Sequence, residues 1–265
     1  MFEIKFGDCL PIMRAFAMEG RKFDAIIADP PYDKTICSWD RLIPVPPMWE
    51  CLKKLIKPAG VIVLTASQPL TSILITTNLA MFKYCWVWNK KRSANYLQIK
   101  NMPLLYTEDV CVFCGAPIGH KSQLGSFRMP YNPQGIIRVN RPWSRPQKNQ
   151  SKLGFKRPSH RLSLVSEYEN YPNNVLEFVY ESGERALHET RKPVALMEYL
   201  VRTYTQPGQV VLDFCMGSGS TGEACQRTGR DFVGIEKDEK NFITARRRLY
   251  KTPDDSLFDN ILDEL

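Results

Sequence analysis

The sequence predicts an α/β fold built on a doubly wound, mostly parallel sheet, with a basic segment inserted into it. Three observations support this fold class. Short apolar runs typical of buried strands recur along the chain, and stretches with apolar residues at helical spacing separate them. Two of these runs, 23–28 and 209–213, lead directly into polar or glycine-rich turns. A chain of 265 residues with 43% apolar content is also long enough to bury one core of this type.

The predicted strands and helices alternate. In the first half they are a strand at 4–6, a helix at 10–18, a strand at 23–28, a helix at 47–56, a strand at 61–65, a helix at 70–81 and a strand at 84–88. In the second half they are a helix at 194–203, a strand at 209–213, a helix at 223–228, a strand at 231–235 and a helix at 241–250. Asp8 can cap the first helix, and Pro193 suits the first turn of the helix at 194–203. This alternation indicates parallel strands joined by helical crossovers.

The tetrapeptide Asp29-Pro30-Pro31-Tyr32 directly follows the strand at 23–28. Its two prolines stop a helix and stiffen the backbone, so the strand ends in a rigid loop. Asp29 and the carbonyl oxygen of Pro30 can accept the hydrogens of a planar amine, while the ring of Tyr32 stacks on it. Taken alone, the tetrapeptide is equally compatible with a proline-capped strand end whose carboxylate has only structural partners.

A second motif follows the strand at 209–213, where the turn at 214–222 contains Gly217, Gly219 and Gly222. Glycine lets the backbone approach a ligand closely, and the amino terminus of the next helix favours an anionic group. The following strand delivers Glu236 at the spacing of the acidic residue that binds ribose hydroxyls in doubly wound folds. Strand, glycine turn, helix, strand and acid in this order indicate a nucleotide-binding site.

The glycine spacing also fits a nicotinamide-dependent dehydrogenase, whose fingerprint is G-x-G-x-x-G. Three features disfavour that function. The turn lies near the carboxyl end of the chain, the motif at 29–32 has no role in hydride transfer, and a long basic segment separates the two motifs.

Together, these residues resemble the amino DNA methyltransferases that use S-adenosylmethionine (SAM). The motif at 29–32 resembles the catalytic motif of that family, and 213–222 resembles its cofactor loop. The catalytic motif comes first, as in the permuted beta group, which implies a Rossmann-like methyltransferase fold in permuted order. Gly7-Asp8-Cys9 resembles the segment that contacts the cofactor adenine, and 188–193 resembles the family's His-Pro-Thr-Gln-Lys-Pro element. The stretch 88–113 is similar to the strand pair that flanks the target-base pocket.

The resemblance implies the residues of each site and the division of the chain. The catalytic residues are Asp29, Pro30, Pro31 and Tyr32. The cofactor-binding residues are Asp8, Cys9, Lys192, Asp213, Phe214, Cys215, Gly217, Ser218, Gly219, Ser220, Thr221 and Glu236. One departure concerns the cofactor floor, since Phe214-Cys215 stands where the family usually has Pro-Phe, and either side chain can pack there. The implied regions are a catalytic half at 1–115, a recognition insertion at 116–182, a cofactor half at 183–252 and an acidic tail at 253–265.

The segment 116–161 differs from the rest of the chain, because it is rich in Lys and Arg and contains neither Asp nor Glu. Cations interleaved with aromatic residues and prolines suit contacts to phosphates and base edges, although a flexible insertion has a similar composition. The predicted DNA-binding residues are Arg128, Arg138, Arg141, Arg145, Lys148, Lys152, Lys156 and Arg157. The bases that the segment recognises do not follow from the sequence.

The chemistry of an exocyclic amine on a nucleobase explains the motif at 29–32. Such an amine is a weak nucleophile and is inaccessible in a stacked duplex, so the base must first rotate out into a pocket. Asp29 and the Pro30 carbonyl then hold the amine, Tyr32 stacks on the base, and Asp29 stabilises the positive charge that develops on nitrogen. This chemistry requires no metal. Adenine N6 and cytosine N4 both fit, and the resemblance favours adenine, because Asp usually accompanies adenine at the first motif position.

Other functions stay open at this point, namely methylation of RNA or of a protein amide, and DNA binding without catalysis. The net charge of +8 fits a double-stranded DNA partner. Eight cysteines without an amino-terminal export signal suggest a reducing, cytoplasmic location, and no apolar run reaches membrane-spanning length. The resemblance to the beta group allows a homodimer and a cognate restriction enzyme as further partners.

Overall fold

The structure, a computed structural model, describes residues 1–32, 41–93, 95–144, 165–179 and 191–250 of the chain. The chain divides into two compact units. The larger unit consists of Met1–Asn132 and the chain from Asn174 onward, and the smaller unit is Pro133–Asn173. The acidic tail predicted at 253–265 lies outside the described residues.

An eight-stranded sheet forms the centre of the larger unit. The strands of the described chain are β1 (Phe2–Phe6), β2 (Phe23–Ala28), β3 (Ile56–Ala66), β4 (Phe82–Asn89), β5 (Thr107–Cys114), β6 (Ile137–Ser144), β7 (Val165–Glu169), β8 (Val175–Glu177), β9 (Val210–Asp213) and β10 (Asp231–Glu236). Within the sheet their order is β1-β10-β9-β2-β3-β5-β4-β8. Neighbouring strands are parallel, except that β5 runs antiparallel to both β3 and β4. The predicted doubly wound, mostly parallel sheet is therefore confirmed.

Helices connect most of these strands. They are α1 (Cys9–Met18), α2 (Val45–Leu55), α3 (Leu70–Thr77), α4 (Lys121–Leu124), α5 (Val194–Tyr204), α6 (Ser220–Thr228) and α7 (Glu239–Tyr250). Asp8 caps α1 as predicted, since its Oδ1 accepts a hydrogen bond of 2.8 Å from the backbone N–H of Leu10. Pro193 is the N-cap of α5 and does not open its first turn. No helix in the described ranges combines the length and the apolar character needed to cross a bilayer.

The two largest errors in the predicted boundaries concern β3 and α3. β3 begins at Ile56 and not at 61, because its pairing with β2 contains an irregularity in which Phe23 pairs with Ile56 and the next pair joins Ala25 to Val61. α3 ends at Thr77 and not at 81, because Asn78 leaves the helical conformation, with φ −144° and ψ 46°. The remaining residues of the predicted helix form the turn that leads into β4.

Helices cover both faces of the sheet. In β2, Ala25 and Ile27 belong to the core formed with α5, α6 and α7, whereas Ile26 and Ala28 belong to the core formed with α1, α2 and α3. Successive side chains of a strand point to opposite faces. A strand that is buried on both faces must therefore be apolar at successive positions, which explains the run at 25–28.

β2 and β9 are neighbours in the middle of the sheet, although they lie far apart in the chain. Ala25 pairs with Val211 and Ile26 with Leu212. Asp24 reinforces this junction, because its Oδ2 accepts a 3.0 Å hydrogen bond from the N–H of Val210. From this pair the chain proceeds outward in both directions, from β2 through α2 to β3 and from β9 through α6 to β10. Where the direction of the strand connections reverses in this way, a crevice opens at the carboxyl ends of the two strands. Doubly wound folds bind ligands in that crevice.

The smaller unit contains an antiparallel ribbon of β6 and β7, in which Arg138 pairs with Tyr168. Arg138 is exposed on β6, Arg141 lies in the same strand, and Arg128 belongs to the larger unit. The remaining predicted DNA-binding residues lie outside the described residues; they are Arg145, Lys148, Lys152, Lys156 and Arg157.

The recognition insertion predicted at 116–182 is wider than this smaller unit. On its amino-terminal side, Met129 is buried in the core of the larger unit, and the N–H of Asn132 donates to the carbonyl oxygen of Thr203 at 2.8 Å. On its carboxyl-terminal side, β8 joins the edge of the main sheet beside β4. Both flanks of the segment are thus part of the larger unit.

A buried group of aromatic side chains joins β4 to α5. The hydroxyl of Tyr204 accepts a 2.6 Å hydrogen bond from Nε1 of Trp86 and lies 3.0 Å from the hydroxyl of Tyr84. Tyr204 is 1% exposed and Trp86 is 3% exposed, so water does not replace either partner. This polar contact inside an apolar layer fixes how α5 packs on the sheet.

The variant Tyr204→Phe tests the importance of that contact. We expect its free energy of unfolding to fall by about 1–3 kcal/mol, because the indole N–H of Trp86 loses its acceptor in a buried site. Urea unfolding followed by circular dichroism measures the change. Tyr250→Phe is the matched control, since the hydroxyl of Tyr250 donates to the carbonyl oxygen of Phe2 in an exposed position. Equal losses in the two variants would contradict the role assigned to burial.

Candidate active site

A cavity of about 1170 Å³ opens at the carboxyl ends of β2 and β9. The motif at 29–32 and the turn at 213–218 both line it. Asp8 and Glu236 line it as well, just after β1 and at the end of β10. The two motifs therefore share one cavity.

Several donors hold the carboxylate of Asp29. Its Oδ1 accepts a 2.8 Å hydrogen bond from the hydroxyl of Tyr32 and another from the hydroxyl of Thr65, near the end of β3. Its Oδ2 lies 2.7 Å from Nζ of Lys192, two residues before α5. These donors come from three separate segments of the chain, so the fold as a whole orients the carboxylate.

Lys192 also links Asp29 to a second acid, Glu108. Its Nζ lies 3.1 Å from Oε2 of Glu108, and Nζ of Lys90 lies 3.0 Å from Oε1 of the same residue. Only 8% of the Lys192 side chain and 15% of the Glu108 side chain are exposed. Two cations and two carboxylates thus alternate in a largely buried row. Each charge has an opposite neighbour, which is the condition for burying such groups.

The surroundings set the protonation of this row. Burial lowers the pKa of Lys192, but the charges of Asp29 and Glu108 outweigh burial and raise that pKa well above its ordinary value. Burial also favours the neutral form of Glu108, yet the charges of Lys192 and Lys90 hold its pKa at about 2. Burial and the charge of Asp29 raise the pKa of Tyr32. At neutral pH, Lys192 and Glu108 are therefore charged, and the Tyr32 hydroxyl is a neutral donor.

This arrangement allows one donor at Asp29 to be exchanged for another. Lys192 has an alternative partner in Glu108, and the Tyr32 hydroxyl lies 3.3 Å from Oε2 of Glu108. Either group can release Asp29 and keep a hydrogen-bonding partner. An amine that enters the cavity can occupy the vacated position, because a carboxylate only accepts hydrogen bonds and an amine provides them.

The turn after β9 brings a helix terminus to the cavity. Gly217 and Gly219 have φ values of 52° and 82°, in the region that favours glycine. α6 begins at Ser220, three residues before its predicted start, with Gly219 as its N-cap. Ser220 and Thr221 line the cavity, so the amino terminus of α6 is available to a ligand there.

Glu236, the last residue of β10, braces this turn. Its Oε2 accepts a 2.8 Å hydrogen bond from the N–H of Gly217, and its Oε1 accepts one of 2.8 Å from the N–H of Asp238. Burial raises its pKa above the ordinary value. Each carboxylate oxygen can accept a further hydrogen bond. Glu236 can therefore hold the turn and a hydroxyl-bearing ligand together.

Both candidate floor residues lie against the cavity. Phe214 is 1% exposed and packs with α1 and α2 in the core, and Cys215 also lines the cavity. Burial raises the pKa of Asp213 to about 7, while its Oδ1 accepts a 3.1 Å hydrogen bond from the N–H of Cys215. Burial, followed by the charge of Asp213, raises the pKa of the Cys215 thiol. That thiol stays protonated and is not an activated nucleophile.

Most of the predicted cofactor residues line this cavity. They are Asp8, Cys9, Lys192, Asp213, Phe214, Cys215, Gly217, Ser218, Ser220, Thr221 and Glu236. Lys192, which the resemblance assigned to the cofactor, also bonds to the predicted catalytic Asp29. Gly219 packs on α7, where an added Cβ would lie 3.2 Å from Cβ of Ala245.

Four contributors to the site have no individual role in the sequence-based predictions; they are Thr65, Lys90, Glu108 and Arg248. The stretch 88–113, which contains Lys90 and Glu108, was nevertheless expected to flank the target-base pocket. Thr65 lies near the carboxyl end of the strand beside β2, a location that faces the ligand crevice in such sheets. Glu108 follows the first residue of β5, and only the strand order brings it to Lys192. Arg248 in α7 donates to Glu223 and, at 3.2 Å, to the carbonyl oxygen of Ser218 in the glycine turn. The position of Thr65 offered a usable sequence signal, whereas the partners of Glu108 and Arg248 depend on tertiary packing.

Comparison with known proteins identifies the class. A family model described as DNA methylase, N6_N4_Mtase, matches residues 23–247. The chain therefore belongs to this family of N6/N4 DNA methylases, as the resemblance of its motifs predicted.

Individual relatives agree with the family. The chain is 38% identical over 69 residues to the type II methyltransferase M.HinfI of Haemophilus influenzae, a match that covers 26% of this chain and 19% of that protein. It is 40% identical over 62 residues to the type II methyltransferase M2.DpnII of Streptococcus pneumoniae, covering 23% of each. The matched segments thus span only about a fifth of the length of these relatives.

Solved structures extend the similarity to almost the whole chain. The crystal structure of an M1.HpyAVI–SAM complex superimposes with a TM-score of 0.61 at 26% identity, covering 94% of this chain and 100% of that one. The PvuII DNA methyltransferase, which is cytosine-N4-specific, gives a TM-score of 0.65 at 14% identity, covering 97% of this chain and 90% of that one. At that identity the second likeness concerns the fold alone.

The buried charge row predicts a pH dependence of stability. The pKa of Glu108 is about 2 in the folded protein and ordinarily 4.5, so its stabilising contribution is complete above the ordinary value and is lost as the pH falls through the folded value. We expect Glu108→Gln to remove this dependence. Between about pH 5 and pH 2, the unfolding free energy of the wild-type protein should fall by roughly 3 kcal/mol more than that of the variant. Urea titrations over that range measure it.

Glu177→Gln is the control for this experiment, because Glu177 forms an exposed ion pair with Lys91, which lies just beyond the neighbouring strand β4. Exposed pairs contribute little to stability, so this variant should follow the wild-type pH curve. An unchanged pH curve in Glu108→Gln would show that Glu108 is not stabilised by its two lysines.

Proposed function

We propose that this chain is a DNA adenine-N6 methyltransferase, which transfers the methyl group of SAM to an adenine rotated out of duplex DNA. One observation carries the proposal: a single cavity is lined both by the amine-binding motif at 29–32 and by the glycine turn at 213–218. Methyl transfer requires the two reactants to be held in contact and in line. A cavity that both motifs share meets this requirement.

The residues around the glycine turn fit SAM. Gly217 offers backbone without a side chain, and Glu236 has acceptor capacity for the ribose hydroxyls. Asp8 and Cys9 supply the wall for the adenine of the cofactor, and Phe214 supplies an apolar floor. When bound, SAM provides an electrophilic methyl group on a sulfonium. The 26% identity to a protein crystallised with SAM supports this choice of cofactor.

Asp29, Pro30 and Tyr32 fit the target amine and its ring. The amine replaces the Tyr32 hydroxyl or the Lys192 ammonium group as a hydrogen-bond donor to Asp29. The second hydrogen of the amine bonds to the carbonyl oxygen of Pro30. A displaced Lys192 keeps Glu108 as its partner, so no buried cation is left unpaired. The ring of Tyr32 stacks on the base, which replaces the stacking lost from the duplex.

Asp29 stabilises the reaction electrostatically. Positive charge develops on the amine nitrogen as the new bond to carbon forms, and a carboxylate fixed beside it lowers the energy of that state. Asp29 does not have to be a strong base, because the surplus proton can leave after the methyl group has arrived. Thr65 keeps one Asp29 oxygen in place while the donors on the cavity side change.

The first residue of the motif supports adenine as the target. Asp at this position resembles the adenine-specific members of the family, whereas Ser is more frequent in the cytosine-N4 members. Both amines offer hydrogens that Asp29 can accept, so the choice rests on the motif and not on the geometry of the cavity.

Double-stranded DNA is the proposed substrate, and the surplus of cations at 116–161 supports it. Two relatives are type II methyltransferases, which supports a cognate restriction enzyme as a further partner of this chain. Pairing into a homodimer rests only on the resemblance to the beta group.

Incubation with tritiated SAM and duplex DNA tests the reaction. We expect label in DNA. Digestion of that DNA to nucleosides, followed by mass spectrometry, should identify N6-methyldeoxyadenosine. Label in 4-methylcytosine would assign the other amine. Label in RNA or in protein instead of DNA would overturn the proposed substrate. Sequencing of methylated DNA from cells that express the chain then gives the recognition site.

The variant Asp29→Ala separates cofactor binding from catalysis. We expect its SAM affinity to stay within about threefold of wild type, while methyl transfer falls by about 100-fold or more, because the developing charge loses its fixed partner. Calorimetry and the tritium assay give the two values. Glu50→Ala is the control, since Glu50 is exposed on α2 and pairs only with Lys54 among the described residues. An Asp29→Ala enzyme with near wild-type turnover would disprove the role of this carboxylate.

A further inference from the structure

The connection between β4 and β5 exposes an unusual amount of apolar surface. Residues 96–107 are all exposed, and the most exposed apolar side chains are Leu97 at 97% and Tyr96 at 70%. Five more large apolar side chains of this stretch are exposed; they are Ile99, Met102, Leu104, Leu105 and Tyr106. We call residues 95–106 the β4–β5 loop. Contiguous exposed apolar surface of this kind marks an interaction site.

Internal hydrogen bonds give this loop a defined shape. Nδ2 of Asn95 donates to the carbonyl oxygen of Pro103 at 3.0 Å, and Oδ1 of Asn95 accepts from the N–H of Leu105 at 2.7 Å. Residues Tyr96–Gln98 form a turn of 3₁₀ helix, which presents Tyr96 and Leu97 at its start. The exposure of the two side chains is thus a property of a built loop, held across its base by Asn95.

The charge around the loop favours nucleic acid as its partner. No Asp or Glu occurs at 90–107, whereas this stretch contains four cations. Lys90 and Lys91 pair with Glu108 and Glu177. Among the described residues, no carboxylate pairs with the exposed Arg92 or Lys100, which leaves both cations available for phosphates.

The loop lies where a target base must pass. Tyr96, Leu97 and Arg92 line the same cavity as Asp29. A base that enters this cavity therefore leaves a gap in the duplex close to these side chains. Apolar side chains that enter such a gap replace the stacking that the base has lost, and they hinder its return.

We propose that Tyr96 and Leu97 form a wedge that enters the duplex and occupies the space vacated by the target base. The proposal rests on the proposed function, since it assigns the loop a role in delivering DNA to the cavity. Arg92 and Lys100 bind the flanking phosphates. A second copy of the chain and an anionic membrane are the alternative occupants of this surface. Methylation, self-association and vesicle binding of a variant distinguish the three.

The double variant Tyr96→Ala, Leu97→Ala tests the wedge on two duplexes that contain the recognition site. In one duplex the target adenine is paired, and in the other it faces an abasic position, so that no partner base holds it. We expect kcat/KM of the variant to fall by about tenfold or more on the paired duplex. Without Tyr96 and Leu97, no side chain stacks in the gap of the duplex, and the target base returns to it. On the abasic duplex it should return to within about threefold of wild type, because extrusion there needs less help.

A fluorescent base gives an independent measure. With 2-aminopurine at the target position, wild-type protein should increase the fluorescence on binding, and the double variant should increase it less at saturating protein. Leu79→Ala is the matched control, since Leu79 is 68% exposed on the turn after α3 and does not line the cavity. This control should behave as wild type in both assays.

Each other outcome overturns the wedge. Equal losses on the two duplexes would indicate a general structural role of the loop, and no loss on either would exclude a role in base extrusion. If the double variant methylates normally but no longer self-associates, the loop binds a second copy of the chain. If it methylates normally but no longer binds anionic vesicles, the loop binds a membrane. If wild-type protein methylates neither duplex, the proposed function itself fails, which is a different result from a failed wedge.

Discussion

The pairing of β2 with β9 is the contact on which the site depends. These strands come from opposite ends of the chain, and only two backbone residue pairs register them. Asp24 strengthens the junction through the N–H of Val210, the amide of Gln209 and the ammonium group of Lys57. Because the strands are parallel and adjacent, the loops that follow them must leave the sheet at the same edge. The motif at 29–32 and the glycine turn therefore meet at one edge of the sheet.

The charge row at Lys192 is the second constraint, and it connects stability with chemistry. A lone carboxylate in a largely buried cavity would be costly, and a lone ammonium group equally so. Here the buried charges share partners, with Lys192 between Asp29 and Glu108 and with Lys90 on the far side of Glu108. Shared partners let Asp29 change a donor without leaving any charge isolated. The same network that holds the site together can thus admit a substrate amine.

The sequence predicted those parts of the site that are continuous in the chain. The tetrapeptide at 29–32 and the glycine turn could be recognised because each motif contains its own donors, acceptors and backbone requirements. Glu108 and Lys90 were not connected with Asp29, because that relation depends on strand order, which no local pattern specifies. Thr65 could have been found from its place near the carboxyl end of its strand. Lys192 was assigned to the cofactor, since its motif stands next to the helix that leads into the cofactor strand. Its contacts with Asp29 and Glu108 depend on tertiary packing and could not be predicted. Errors in the fold were local, such as the early end of α3 at Asn78, where the backbone turns although the next three residues, Leu79, Ala80 and Met81, are good helix formers.

The reversed direction of β5 determines what can evolve at the catalytic edge. Between two adjacent parallel strands the chain must return along the full length of the strands, and a crossover helix sets the length of the connection. β4 and β5 are antiparallel, so their connection starts and ends at the edge where the cavity opens. Residues can be added to or removed from such a hairpin without shifting any strand or either motif. This one inverted strand therefore separates the part of the cavity rim that can diversify from the part that must stay constant.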